Sequence, residues 1–443
     1  MRGHLSAPPA HHSSSDQRER AIPASCGSTS RVKGGSLVWQ RLVLAAIGCL
    51  LSLSGAQAQS TPSPFPYRLA PIDYFGDTSE PVARLMAQLT AGQRELKYSA
   101  DSGYLASLLD ALDVPACSQM LIFAKNAANA RRISPENPRA LYFNDVVSIG
   151  WTPGAAALEI AAVDAHKGAV FYTLQQRADE PPRFHREDSC LTCHVTEGTL
   201  QVPGFILRSF VTDAQGRPRQ GFSPVDHATP YEKRWGGWYV TGAPREFQHL
   251  GNLSTAETLL TFDRLGTRVP TIDLAARLPD LKHLRGSSDI LPLLVHDHQT
   301  RVQTLLTRLR YEAEFDRPLD TLEPLTRALL FANEPPLPAP VEGDSDYRNW
   351  FEQQGDHATA SRRLREFDLK SRLFRHGCSW LIDSPGCRTL PQSVRQRLFR
   401  RIGEIIGSPS PPAGFRALGE AEREELLQLL RETVAGFQEA LPD

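Results

Sequence analysis

The first half of the chain places short apolar runs between turn residues, which is the pattern of antiparallel strands. Three such runs, at residues 140–149, 157–163 and 169–175, are separated by segments that contain Gly and Asp. Because the connections are short, the runs are predicted to pair in chain order as a β-meander. Two further strands are predicted at residues 205–212 and 235–240, and the second carries large aromatic side chains.

From residue 287 onward the apolar positions recur at helical spacing. Ser287 and Ser288 are predicted to cap a helix, because serine hydroxyls accept hydrogen bonds from the free N–H groups of a first turn. The apolar positions of this helix are Ile290, Leu294, Val302, Leu305 and Leu309. Further helices are predicted at residues 80–90, 104–112, 360–375, 392–406 and 419–440.

This pattern divides the chain into three parts. Residues 1–58 are a polar lead with a short apolar segment, and residues 59–286 are a mixed β-meander and helical domain. Residues 287–443 are a mainly helical domain with a Pro-rich linker at 334–346. The predicted fold class is α+β, because the strands collect in the front half and the helices in the back half.

The first 58 residues have the order of an export signal. Residues 1–36 have no apolar period and are predicted to be disordered, or to lie upstream of the true start. Arg41 precedes an apolar run at residues 42–53 and the small-residue cleavage site Ala56-Gln57-Ala58. The run is shorter than the roughly 20 residues of a membrane-spanning helix. A cleaved signal peptide is therefore favoured over a membrane anchor or a lipoprotein site at Cys49, and the mature protein is expected to be periplasmic or secreted.

Composition and charge exclude several classes of protein. The chain has 443 residues, with 31 Gly, 34 Pro and 22% charged residues, unlike a collagen, a coiled coil or a mainly disordered chain. Its 49 basic and 50 acidic residues give no basic surplus, so no nucleic-acid partner is expected. Cleavage after Ala58 leaves 43 basic and 48 acidic residues, a net charge of −5.

One motif carries the chemistry, namely Cys190-Leu191-Thr192-Cys193-His194. C-x-x-C-H is the attachment signature of c-type haem, in which two thiols bind the porphyrin edge and the adjacent His binds the iron. A thioredoxin-like dithiol would need a βαβ context, and a zinc ribbon would need a second Cys pair roughly 15–20 residues away. A short disulfide is the remaining alternative. Export agrees with haem, because bacterial haem attachment follows export.

The motif resembles that of bacterial c-type cytochromes, and the wider chain resembles a group of large exported single-haem proteins of unassigned role. The wider resemblance rests on residues 139–145, 190–209, 234–252, 289–308 and 367–382. It implies a cytochrome c-like haem domain at residues 59–286, with one covalent haem c on Cys190 and Cys193. It further implies that His194 is an axial iron ligand and that the protein transfers electrons, but it supplies no substrate.

The motif leaves the second axial ligand open. The chain has three Met residues, and none follows Cys193, so the downstream Met of a small cytochrome c is missing. Met120 would need an unusual topology. The remaining options are a second His or an open coordination position. The candidates among the histidines are His298, His249, His227 and His185.

His298 is the most informative of these candidates. It lies on the apolar stripe from Leu294 to Val302, whereas His296 is predicted to lie on the polar side of the helix with Thr300. A buried imidazole needs a partner, which is either another protein group or the iron. His249 lies in the loop after the Trp-rich segment, while His185 is only five residues before Cys190.

These features predict a periplasmic c-type cytochrome that transfers electrons to a redox partner protein or a small electron carrier. The alternative is a haem enzyme with an open distal site that acts on peroxide or a small nitrogen compound. The meander before the haem motif is similar to the P460 type of cytochrome, which cross-links a Lys to its haem. Lys125 and Lys167 lie upstream of the motif. A haem sensor or scaffold module is a third hypothesis.

Other residues are assigned supporting roles, each beside a purely structural alternative. Trp235, Trp238 and Tyr239 are predicted either to wall the haem or to pack in the core. Two Gly between the Trp residues would let the backbone approach a flat ring. The propionate groups of a haem need cationic partners. The candidates are Arg208, Arg234 and Arg245, and the alternative for each is a place at the protein surface.

Three further cysteines follow the export signal. Cys378 and Cys387 are predicted to form a disulfide in an oxidising compartment, or to be two reduced, partly buried thiols. Cys117 would then be a small buried side chain.

Overall fold

Six strands form an antiparallel sheet in which each strand pairs with its neighbour in the sequence. The computed structural model describes residues 65–219, 221–266, 268, 271–355 and 360–441. The predicted meander is confirmed. The strands β1 to β6 are Met120–Ile122, Arg139–Phe143, Val147–Trp151, Ala157–Asp164, Gly168–Gln175 and Phe184–Arg186.

Two of the predicted strands differ in detail from the structure. The run at residues 140–149 is two strands, because Asn144 accepts hydrogen bonds from the N–H groups of Val146 and Val147 and turns the chain. The strand at 205–212 is reduced to β7, Leu207–Ser209, which pairs with β8, Ser223–Val225, in a separate two-stranded sheet.

The predicted strand at 235–240 is wrong. Trp235 and Gly237 have φ angles of 61° and 85°, in the left-handed region through which no strand continues. The segment makes an isolated bridge from Trp238 to Ile122 at the edge of β1. A Cβ on Gly237 would lie 2.6 Å from the Cβ of Ala124, so this turn packs tightly against the chain after β1.

The longest helix of the described residues is buried along most of its length. In chain order, the helices α1 to α11 of the described residues are Pro81–Thr90, Leu105–Ala111, Leu191–His194, Ala256–Leu265, Leu274–Arg277, Ile290–Glu314, Leu322–Leu329, Ser345–Gln353, Pro385–Arg388, Gln392–Gly407 and Glu420–Thr433. Helices α1, α2, α6, α10 and α11 correspond to predicted ones, whereas α4, α7 and α8 were not predicted.

The helix predicted at 360–375 is wrong, because the chain forms only a short 3₁₀ segment, Ala360–Arg365. Asp368 accepts hydrogen bonds from the backbone N–H groups of residues 370, 371 and 372. Leu369 has a φ of 55°, which bends the chain into a turn. Short polar side chains that bond to nearby backbone groups compete with helix formation in this way.

The first turn of α6 is capped by Asp289 and not by the predicted Ser287 and Ser288. The Asp289 carboxylate accepts hydrogen bonds from the N–H groups of Leu291 at 2.9 Å and Asp344 at 3.0 Å. The Ser288 hydroxyl instead donates to the Tyr239 carbonyl at 2.6 Å and accepts from the N–H of Leu121 at 2.9 Å. Ser288 therefore joins the start of α6 to β1.

Replacing Asp289 with alanine should lower the free energy of unfolding by about 1–2 kcal/mol, the usual cost of losing an N-cap. Ser287→Ala is the matched control and should change stability by less than about 0.5 kcal/mol. Burial raises the pKa of Asp289 to about 6, so urea denaturation is best measured well above that pH. Equal effects of the two substitutions would contradict the assignment of the cap.

The two faces of the six-stranded sheet have different surroundings. Side chains alternate along each strand, and in β4 Ile160 is buried whereas Glu159 and Ala161 are half-buried. The buried face packs in a hydrophobic core with α1 and α2. The half-buried side of β4 lines a cavity.

All of the described residues belong to one compact unit, Ser60–Asp443. The largest core contains Phe143 and Trp238 together with Leu294 and Leu430, so the predicted boundary at 286/287 does not separate two cores. The predicted linker runs between α7 and α8 and includes the first residues of α8. Among the described helices, none has both the length and the apolar character that crossing a bilayer requires. The predicted lead and signal peptide, residues 1–58, lie outside the described residues.

Candidate functional site

The C-x-x-C-H motif follows the last strand of the sheet directly. Strand β6 ends at Arg186, and a 3₁₀ turn at Asp188–Cys190 leads into the short helix α3, which ends at His194. The Leu191 side chain is buried and anchors the turn in the core. Cys190 is half-buried and Cys193 is exposed, so both thiols stand at the edge of the fold, where a large group can reach them.

The imidazole of His194 is held in one orientation. Its Nδ1 lies 2.8 Å from the carbonyl oxygen of Gly204, and the ring packs against Phe171 with the centroids 4.6 Å apart. Because a carbonyl only accepts hydrogen bonds, Nδ1 carries the proton and Nε2 keeps its lone pair. Burial lowers the pKa of His194 to about 4. The imidazole is therefore neutral at pH 7, the form that binds metals.

Both thiols and the His194 ring line one cavity of about 320 Å³. Binding sites for small molecules and cofactors commonly occupy roughly 300–1,000 Å³. The half-buried face of the sheet forms its floor, with Arg139, Glu159 and Phe171. The wall includes residues 205–208 and Trp238. Two side chains of α6, His296 and Thr300, also line it.

An ion pair crosses the floor of the cavity. The Nε of Arg139 lies 2.6 Å from a Glu159 carboxylate oxygen, and each side chain is 17% exposed. The guanidinium reaches across Gly150 on the intervening strand, where any side chain would overlap with it. This glycine therefore makes room for the charge pair.

Arg208 is the one predicted propionate partner that lines the cavity. Its guanidinium lies 4.6 Å from the ring centroid of Phe222, and its buried Nε has no hydrogen-bond partner. Arg234 is buried elsewhere and pairs with Asp297 at 3.1 Å, so it is not available to this cavity. Arg245 is exposed and lies outside the cavity lining.

Neither His298 nor His249 lines the cavity that holds His194. The Nε2 of His298 lies 2.7 Å from the Ser379 hydroxyl, and its ring packs against Phe331 at 4.5 Å. His298 is therefore a core histidine whose partner is a protein group. Of the two partners expected for this imidazole, a protein group or the iron, the structure has the first. His249 is buried and its ring lies 5.5 Å from that of Trp235.

The other predicted ligands also lie outside the cavity lining. The ring of His227 packs 5.1 Å from that of His298, and His185 is exposed on β6. Met120 is buried in the core. The two lysines considered for a P460-like cross-link have other partners. Lys125 Nζ donates to the Ile133 carbonyl, and Lys167 Nζ donates to the Asp73 carbonyl.

His296, which was not among the predicted ligands, lines the cavity with Thr300. Both residues were predicted on the polar side of α6, and that side is buried against the cavity. The signal was present in the sequence: an imidazole and a hydroxyl recur four residues apart on a helix whose opposite side is apolar. That spacing aligns their side chains on one face.

Of the predicted aromatic wall, only Trp238 lines the cavity. Trp235 Nε1 donates to Asp297 at 3.0 Å, and the Tyr239 hydroxyl donates to the Pro135 carbonyl at 2.7 Å. A side chain on Gly236 would overlap with the Phe210 backbone. These glycines therefore allow close backbone packing within the chain, and not against a flat ring.

Of the two alternatives for Cys378 and Cys387, the structure has the two free thiols, and both are fully buried. Burial raises the pKa of Cys387 to about 12, so both behave as small apolar side chains. Cys117 is half-buried.

The side chains around the cavity are of the kinds that a covalently attached haem needs. Burial raises the pKa of the Cys190 thiol to about 11, whereas a redox dithiol of the thioredoxin type has a lowered thiol pKa. No cluster of three or more metal-ligating His, Cys, Asp or Glu side chains occurs in the described part of the chain. Two thiols, a neutral imidazole and a cavity with an unpaired guanidinium nitrogen match what a haem and its propionates require.

Comparisons with known proteins add no family to this picture. No protein-family model matches the chain, and searches of curated proteins and of solved structures give no match.

Proposed function

We propose that this chain is an exported c-type cytochrome that binds one haem covalently and transfers single electrons to a redox partner. The observation that carries the proposal is the position of the motif: Cys190, Cys193 and His194 line one cavity, and the Gly204 carbonyl holds His194 with Nε2 as its lone-pair nitrogen. The bound haem would supply the redox-active iron.

Each residue at the cavity has a definite task in this proposal. Cys190 and Cys193 would hold the cofactor through thioethers, and His194 would bind its iron. The Gly204 carbonyl raises the basicity of His194 and keeps its ring in place. Phe171 excludes water from the ligand side, because its ring packs on the imidazole. Arg208 is the cation for a propionate.

A haem enzyme is the second candidate, and the polar lining of the cavity favours it. Glu159, Thr300 and His296 all line the space next to His194. Such groups could move protons to or from a small substrate in an open distal site. Peroxide and small nitrogen compounds are the substrate classes that this arrangement would suit.

Reactivity of the purified haem protein distinguishes the two candidates. The cytochrome proposal predicts a reversible one-electron titration, with peroxide and hydroxylamine consumed no faster than by an unrelated cytochrome c at equal haem concentration. Consumption well above that level would favour the enzyme instead. The variant Glu159→Gln gives the matched test, because it should slow turnover by an enzyme and leave one-electron exchange by a cytochrome largely unchanged.

A further inference from the structure

His296 is a buried imidazole at the wall of the cavity. It is 4% exposed, and no hydrogen-bond partner reaches its Nδ1. Its ring packs edge-on against Phe143, with the centroids 4.6 Å apart, which holds it in one orientation. Buried polar groups are almost always satisfied. The Nδ1 of His298 also has no hydrogen-bond partner, and what distinguishes His296 from it is its place in the cavity lining.

The cavity is the place where that ligand would lie. Among the histidines that the structure describes, His194 and His296 are the two that line it. No Met or Lys of the described residues contributes to the lining. Burial lowers the pKa of His296 to about 3, so the imidazole is neutral and able to bind a metal.

Helix α6 also holds the loop that orients His194. The Thr304 hydroxyl accepts from the N–H of Phe205 at 3.0 Å and donates to the carbonyl of the same residue at 3.1 Å. Phe205 directly follows Gly204, whose carbonyl binds His194. His296 lies two turns before Thr304, about 12 Å along the helix axis at 1.5 Å per residue. One rigid helix therefore positions both imidazoles at the cavity.

We propose that His296 is the second axial ligand of the haem iron, on the face opposite His194. The inference rests on the proposed function, since it needs the haem that Cys190 and Cys193 fasten. It also chooses between the two candidates above: an iron with two imidazole ligands has no open position for peroxide or a small nitrogen compound, and the protein is an electron carrier.

Absorption and electron paramagnetic resonance spectra of the ferric holoprotein test the assignment. The wild type should be low-spin, with little spectral change on addition of cyanide. His296→Ala should be high-spin and bind cyanide rapidly, and added imidazole should restore the low-spin spectrum. His298→Ala is the matched control, because this residue is equally buried on the same helix, and it should stay low-spin.

A second variant distinguishes loss of the iron ligand from loss of folding. His296→Met should keep a low-spin iron and shift the reduction potential upward, because a thioether ligand favours the reduced iron. A high-spin wild type, or a low-spin His296→Ala without added imidazole, would overturn the assignment. Failure of the proposed function looks different, because the wild type would then carry no covalent haem.

Discussion

Replacing Cys190 and Cys193 together with alanine should abolish covalent haem binding in cells that assemble c-type cytochromes. Each of the two thiols that line the cavity would form one thioether. With both removed, no covalent bond would hold the porphyrin to the chain. Each single variant should keep one attachment and give a lower yield of haem protein. The measurement is haem staining after denaturing electrophoresis, which detects only covalently bound haem.

The control for this pair is Cys117→Ala, which removes a half-buried thiol outside the cavity lining. It should leave haem incorporation unchanged. Cys193 is exposed, so its replacement alone should change the free energy of unfolding of the haem-free chain by no more than about 0.5 kcal/mol. Haem staining of the double variant at the wild-type level would show that these thiols are not the attachment site.

Replacing Asp297 with leucine should lower the free energy of unfolding by about 3–5 kcal/mol, the cost of leaving a buried charge without its partner. Arg234 and Asp297 are each 1% exposed, and Asp297 also accepts from Trp235 Nε1. Burial raises the pKa of Asp297, and these two donors oppose that rise. The substitution leaves the guanidinium with the backbone carbonyls of Thr229 and His227 as acceptors.

The comparison for Asp297 is the surface ion pair between Arg401 and Glu323, whose side chains are 33% and 44% exposed. Arg401→Ala should cost only about 0–1 kcal/mol, because solvent screens exposed pairs. Guanidinium chloride denaturation measures both variants, and the midpoint for Asp297→Leu should fall at an unchanged slope. Similar losses in the two variants would contradict a structural role for the buried pair.

Local signals explain what could be predicted from the sequence. The meander was predictable because its apolar runs and turns lie next to each other in the chain. The haem motif was predictable because the attachment chemistry needs two thiols and an imidazole within five residues. The motif's place beside the sheet also follows from chain order, since β6 runs directly into it.

The errors arose where tertiary contacts decide the structure. Polarity alone assigned His296 to the polar side of the helix, whereas packing of α6 against the sheet turns that side toward the cavity. The same reasoning assigned the aromatic segment to a strand, although left-handed φ angles at Trp235 and Gly237 prevent one. The cap at Asp289 was missed because Ser288 bonds to β1, a contact that the sequence does not reveal.

The decisive measurement is the mass of the intact protein, exported from cells that assemble c-type cytochromes. We expect the mass of the processed chain plus one haem, together with the absorption spectrum of a haem held by two thioethers. A colourless protein with the mass of the bare polypeptide would contradict it.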